Sequence, residues 1–172
     1  VYLSKDDALN LVLGEDSVKE YEPKKLTDSV KNTPELKQYT LKDKDSAHFF
    51  VAKKGGNVSE YALIDEEVGK HLPITYIVGI SPEGKVTRIE VMVFREIIGW
   101  EIKDRRFLAQ YESKTISDDL RIGRSLKNIS GATLSAQAIS RGTERALALW
   151  RYFYSSDFKE NNSSEEEKEK DA

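Results

Sequence analysis

The sequence predicts an α+β domain, a mostly antiparallel sheet with a long C-terminal amphipathic helix packed on it. Two pairs of apolar, β-branched and aromatic segments flank Gly- or Pro-containing turns, the pattern of antiparallel hairpins. Nearer the C-terminus, small and apolar residues recur every three or four positions, which marks a helix with one buried stripe. The chain has 172 residues, 38% of them hydrophobic, enough for one core without covalent staples.

Taken in order, Ser4 followed by Asp7 resembles a capping box with Asp in place of Glu. Ala8, Leu9, Val12 and Leu13 keep helical spacing up to Gly14, so residues 5–13 read as a short helix. Residues 15–45 are rich in lysine and contain Pro23 and Pro34. Only Leu26, Val30 and Leu36 suggest one or two further helical turns there. Residues 48–52 and 58–64 are apolar runs on either side of Lys54-Gly55-Gly56-Asn57, whose residues tolerate positive φ, and they predict a first hairpin. A second is predicted from 74–80 and 85–94 around Ser81-Pro82-Glu83-Gly84, with Ile89, Val91 and Val93 inward and Val86, Arg88 and Glu90 alternating with them. The final helix is expected over about 135–154. Ile139, Gly142, Ala146, Leu149 and Phe153 would face the sheet, and Gln137, Ser140, Arg141, Glu144 and Arg145 would form its polar side. One domain over 1–158 follows, its part before residue 46 helical in character, with a disordered acidic tail over 159–172.

Charge and composition narrow the function. There are 27 basic and 30 acidic side chains, and the tail holds six of the acids and three of the lysines, so the body is balanced at 24 of each. A balanced body argues against a nucleic-acid-binding surface, which works by releasing counterions from phosphates. No cysteine is present, which excludes disulfides, Cys-based zinc, Fe–S clusters and thiol catalysis. No apolar run approaches the roughly 18 residues of a membrane span, and no signal segment is seen. The chain begins at Val1 rather than Met, consistent with a removed leader or anchor.

Few residues suggest acid–base or metal chemistry. His48 and His71 lack a Glu-x-x-His or His-x-x-x-His neighbour, so both read as ordinary surface or strand-end imidazoles. Ser130 and Ser135 lack a nucleophile elbow. Gly55-Gly56 lacks the P-loop ending and reads as a turn. The segment Ser130-Gly131-Ala132-Thr133-Leu134-Ser135 differs, because small residues and hydroxyls gather where a loop enters a long helix. Such a helix start offers unpaired N–H groups and partial positive charge to an anion, and small residues let a ligand approach closely. The same residues also suit a simple helix cap, with Thr133 or Ser130 accepting from first-turn amides.

The Ser130-Gly131-Ala132-Thr133 run resembles the flavin-attachment motif of the FMN-binding domain family, which includes the C subunit of sodium-translocating NADH:quinone reductase and the G subunit of Rnf complexes. The resemblance extends over about 68–149. Gly84-Lys85-Val86 and Arg95-Glu96-Ile97-Ile98-Gly99 look like the family's strand and its Glu-x-x-Gly segment. Phe107, Gln110, Tyr111 and Lys114 look like its Phe-x-x-Gln-Phe-x-Gly-Lys stretch, with Ser113 where the family often has Gly. Lys127 stands where the family motif usually carries Asp.

The resemblance implies FMN as cofactor, joined by a phosphoester to Thr133, with Ser130, Gly131, Ala132, Leu134, Ser135, Glu96, Gly99 and Trp100 around it. A separate flavin transferase would form the bond from FAD with magnesium. The expected role is a redox carrier rather than a self-contained enzyme, with protein redox partners in an extracytoplasmic or membrane-associated chain. Trp100 and Tyr111 are the aromatic candidates for stacking on the ring. Two alternatives are a flavin-free binding or sensing module of the same fold, and a reductase using non-covalent FMN.

Overall fold

The computed structural model describes residues 2–128 and 132–155; the tail and Ser130-Gly131 lie outside them. The first helix, α1, spans Lys5–Leu13. Ser4 Oγ accepts from the Asp7 amide at 3.1 Å, and Gly14 ends the helix at φ 86°. Five strands follow: β1 Val18–Lys25, β2 Ser46–Lys54, β3 Asn57–Val68, β4 Pro73–Ile80 and β5 Val86–Val93. They pair antiparallel in chain order, a five-stranded meander. Between β1 and β2 lies the one-turn helix α2, Asp28–Lys31, capped by Thr27. After β5 come a 3-10 turn Trp100–Lys103, the one-turn helix α3 Arg105–Leu108, and a second 3-10 turn Ala109–Tyr111. The long helix α4 closes the described chain over Thr133–Tyr154.

Two apolar layers hold this arrangement. On one face α1 packs Ala8, Leu9, Val12 and Leu13 against Phe50, Ala52, Ala62, Ile77 and Met92. On the other, α4 and the 100–126 segment cover Phe49, Leu63, Ile74, Val78, Ile89 and Val91, with Leu26, Leu36 and Leu41 filling one side. Both outer ends of β5 are occupied: Ser113 donates its N–H to the Val86 carbonyl at 2.7 Å, and Leu3 to that of Met92 at 2.9 Å. Ser113 takes φ 68° to do so, the left-handed region that glycine enters at least cost, which accounts physically for the glycine often found there in the resembled family. No helix among the described residues is long and apolar enough to cross a membrane.

The structure changes four expectations. First, 18–25 is a strand within the part expected to be helical in character, while a helical turn does stand at Asp28–Lys31, between Leu26 and Leu36. This is an edge strand whose charged residues and Pro23 carry no alternating apolar signal. Second, β5 carries two irregularities, between Gly79/Ile80 and Thr75/Tyr76 of its partner. Each shifts the side-chain alternation by one residue, so Val86 joins Ile89 and Val91 under α4, while Val93 packs on the α1 face. Third, Ser140 and Arg145 are buried rather than on a polar side. The 107–126 segment packs over Ser140, which meets the Tyr111 hydroxyl at 2.6 Å, whereas Arg145 is buried against β3 and β4. Fourth, Tyr111 is completely buried by this contact, which removes it as a stacking partner for a ligand.

Arg145 anchors α4 to β3. Its guanidinium reaches Asp65 Oδ2 at 2.9 and 3.0 Å and Glu67 Oε2 at 2.6 Å, and it donates to the Glu66 carbonyl and the Tyr76 hydroxyl. Lys44 Nζ meets the other Asp65 oxygen at 2.7 Å. Burial opposes the charge on Arg145, but the surrounding Tyr76, Asp65 and Glu67 outweigh it and raise its pKa.

Candidate functional site

The site is built where α4 begins. Its N-cap is Ala132, which is buried and whose methyl group cannot accept from the first-turn amides. Thr133, the first helical residue, is exposed, so the simple cap reading fails for it and its hydroxyl faces out beside the positive end of a 22-residue helix. Asn128 Nδ2 donates to Thr133 Oγ1 at 2.8 Å.

Two segments converge on the first turn of α4. Ser135 is buried, and its Oγ fills the space beside two glycines: a Cβ on Gly69 would lie 3.1 Å from it, and one on Gly99 3.3 Å. Gly99 also adopts φ 104°, which strains any other residue. Glu96 accepts the His71 and Leu72 amides on one oxygen, at 2.6 and 2.7 Å. These two N–H donors hold its carboxyl below the usual range. Glu96 thus ties the turn after β3 to the 95–100 loop, and Gly99 seats that loop on α4.

The rim formed in this way is apolar and open. Ile97 is 94% exposed, Ile98 73%, Trp100 65%, Leu134 51% and Leu72 42%. A water-facing gathering of this kind on a small domain marks a binding surface. Beside it lies a cleft of about 630 Å³ lined by Asp104, Arg106, Phe107, Gln110, Lys127 and Asn128. The arrangement suits FMN: a hydroxyl at the start of a long helix for the phosphate, and exposed apolar and aromatic side chains for a flat ring.

Of the residues singled out in sequence, the structure brings Ala132, Thr133, Leu134, Ser135, Glu96, Gly99 and Trp100 to this end of the domain. His48 is elsewhere, paired with the Tyr21 hydroxyl on the β1–β2 ladder. Among the described residues no cluster of His, Asp or Glu could hold a metal ion. Sequence reasoning missed Asn128, since no motif marks an amide five residues ahead of the threonine.

Replacing Glu96 with alanine removes the acceptor for the His71 and Leu72 amides, so both should exchange hydrogen roughly tenfold faster or more, as expected for one lost charge-assisted bond. Because the folded carboxyl is depressed, the stabilisation it gives is present above the ordinary carboxylate range. It is lost as pH falls through the depressed value. Amide exchange measured by NMR checks the first statement; wild-type protection in the alanine variant would contradict it.

Residues 69–148 match the FMN-binding domain family. The G subunit of the proton-translocating ferredoxin:NAD(+) oxidoreductase complex of Clostridium ljungdahlii is 24% identical over 106 residues, covering 58% of this chain. The match spans 57% of that protein's own length. The crystal structure of Shewanella oneidensis NqrC shares the fold at TM-score 0.58 and 15% identity, over 90% of this chain and 89% of that one. The C subunit of the Na(+)-translocating NADH-quinone reductase from Parabacteroides distasonis does so at 0.58 and 14%, over 91% and 86%. The matched segment contains the turn after β3, the 95–100 loop and the start of α4, so residues 69–148 are similar to the FMN-binding domain family, FMN is the cofactor that this similarity indicates, and the two solved structures share the fold.

Proposed function

We propose that this domain is an electron carrier whose FMN is attached through a phosphoester to Thr133, and that it passes electrons between protein partners of an extracytoplasmic, membrane-associated chain. The observation that carries the reading is the exposed Thr133 hydroxyl on the first residue of α4, beside the apolar rim of Ile97, Ile98, Trp100 and Leu134. When bound, FMN supplies one- and two-electron chemistry, and the protein contributes position and surroundings. The helix start stabilises a phosphate by about 0.3–1 kcal/mol at an exposed site. Trp100 and Leu134 offer apolar surface to the ring, and Ser135, Gly99 and Gly69 keep the loops that present them in place. An open rim suits a carrier, because electron exchange needs close approach by partners and no acid, base or metal of its own. Relatives that are subunits of redox complexes support partner proteins of this kind.

A second reading is favoured by one residue. Lys127 stands where the resembled motif has a carboxylate, and if the transferase or its metal needs that group, FMN is held without a covalent bond. Intact mass decides between them. Wild type coexpressed with a flavin transferase should gain the mass of one FMN less water and keep its yellow colour after denaturation. Thr133→Val should gain nothing. Flavin released from wild type by denaturation supports the non-covalent form, and covalent flavin retained in Thr133→Val would overturn the assignment.

A further inference from the structure

We propose that Asn128 sets the Thr133 hydroxyl for flavin transfer and that Gln110 holds Asn128 in position; this rests on the covalent reading above. Thr133 is exposed at the head of α4, where a threonine side chain otherwise samples more than one rotamer. The 2.8 Å bond from Asn128 Nδ2 to Oγ1 selects one. It uses one lone pair of the hydroxyl, and among the described residues it is the one hydrogen bond that this hydroxyl makes.

The polarity of this bond fits the reaction. In the transfer, a bond forms between Thr133 Oγ1 and the flavin-side phosphorus of FAD, the phosphoanhydride bond to AMP breaks, and AMP leaves. The hydroxyl proton passes to the departing AMP phosphate or to water, and no electrons change hands. Oγ1 ends as an ester oxygen that can accept a hydrogen bond but no longer donate one. A donor at position 128 therefore stays paired before and after the step, next to phosphate oxygens that also accept. A carboxylate there would pair with the hydroxyl only beforehand and would then face a like charge.

Gln110 supplies the rigidity. Its Oε1 accepts the Lys127 amide at 2.8 Å, and its Nε2 donates to the Lys127 carbonyl at 3.2 Å and the Phe107 carbonyl at 3.3 Å. Both main-chain groups of the residue before Asn128 are thus tied to one side chain. The tie runs through backbone alone, so it does not depend on which side chain stands at 127. Lys in place of the motif's Asp leaves the presentation of Asn128 to Thr133 intact.

The test follows the mass of FMN gained by purified chain with a purified flavin transferase, FAD and magnesium, beside thermal melts. Asn128 is exposed, so its variants should melt with wild type. Asn128→Leu should slow the initial rate about five- to tenfold, the weight of one hydrogen bond, and the nearly isosteric Asn128→Asp at least as much. Asn128→His, which keeps an N–H near the same place, should recover most of the rate. Gln110→Leu should slow it in the same direction. Asn128→Leu or Asn128→Asp reacting at the wild-type rate would overturn the proposal, as would Asn128→His falling as far as the leucine variant. A wild type that gains no mass overturns the covalent reading itself, and this inference with it, a result distinct from fast variants.

Discussion

Arg145→Met is expected to destabilise the domain by about 3–5 kcal/mol, the range found when one partner of a buried ion pair is removed. The side chain is 2% exposed and satisfies Asp65, Glu67, the Glu66 carbonyl and the Tyr76 hydroxyl together. With methionine there, Asp65 keeps Lys44 on one oxygen and Glu67 keeps the half-exposed Arg141 at 3.5 Å, while the two oxygens that faced Arg145 lose their cation. Protonating them or admitting water are the routes left, and both loosen α4 from β3. Urea unfolding followed by far-UV circular dichroism measures the loss. Adding Asp65→Asn and Glu67→Gln to Arg145→Met should recover part of it, because the penalty lies in the stranded charges more than in the missing attraction. A single variant as stable as wild type would show that water already reaches this cluster. Since α4 carries Thr133 at its start and Arg145 near its middle, flavin loading should fall only where the helix itself shifts.

How far the sequence disclosed this molecule depended on whether a feature is local. The short helix α1, the two-glycine turn at Gly55-Gly56 and the strands around Ser81-Pro82-Glu83-Gly84 are written in neighbouring residues, and all were legible. The strand β1 was not, because an edge strand with charged alternate residues and Pro23 carries no apolar period. Val86 and Val93 were misassigned because a bulge is a property of the pairing with β4, which alternation in one strand cannot reveal. Arg145 misled for a related reason: a charge on a helix reads as solvent-facing unless its partners, here Asp65 and Glu67 far earlier in the chain, are known to be opposite. At the site the pattern repeats. Thr133 stood out through small residues and hydroxyls close in sequence, whereas Tyr111 looked available for stacking until its hydroxyl was found on buried Ser140. The pairing of Asn128 with Thr133 and the Gln110 tie behind it depend on loop geometry alone.

Gly142→Ala should destabilise the domain by about 2 kcal/mol or more, although helix propensity alone predicts the opposite. In a helix interior alanine is favoured over glycine by roughly 0.8–1 kcal/mol. Against this, a Cβ at position 142 would overlap the Tyr76 hydroxyl and its ring carbon Cζ. Tyr76 is fully buried on β4, and its hydroxyl accepts from Arg145 Nη2 at 3.0 Å. The ring therefore cannot turn aside without breaking that bond, and the helix cannot retreat without pulling Arg145 from its carboxylates. Overpacking of a closed core costs about 1–3 kcal/mol and occasionally more, and here the loss of a charge-assisted hydrogen bond adds to it. Packing thus outweighs propensity. Tyr76→Phe should rescue little, since the ring carbon still blocks the methyl group, so the double variant should remain well below Tyr76→Phe alone. Thermal and urea unfolding of the three variants decide the sign. An alanine variant at or above wild-type stability would mean that Tyr76 moves freely, and that close contact between α4 and β4 is not what fixes the helix bearing Thr133.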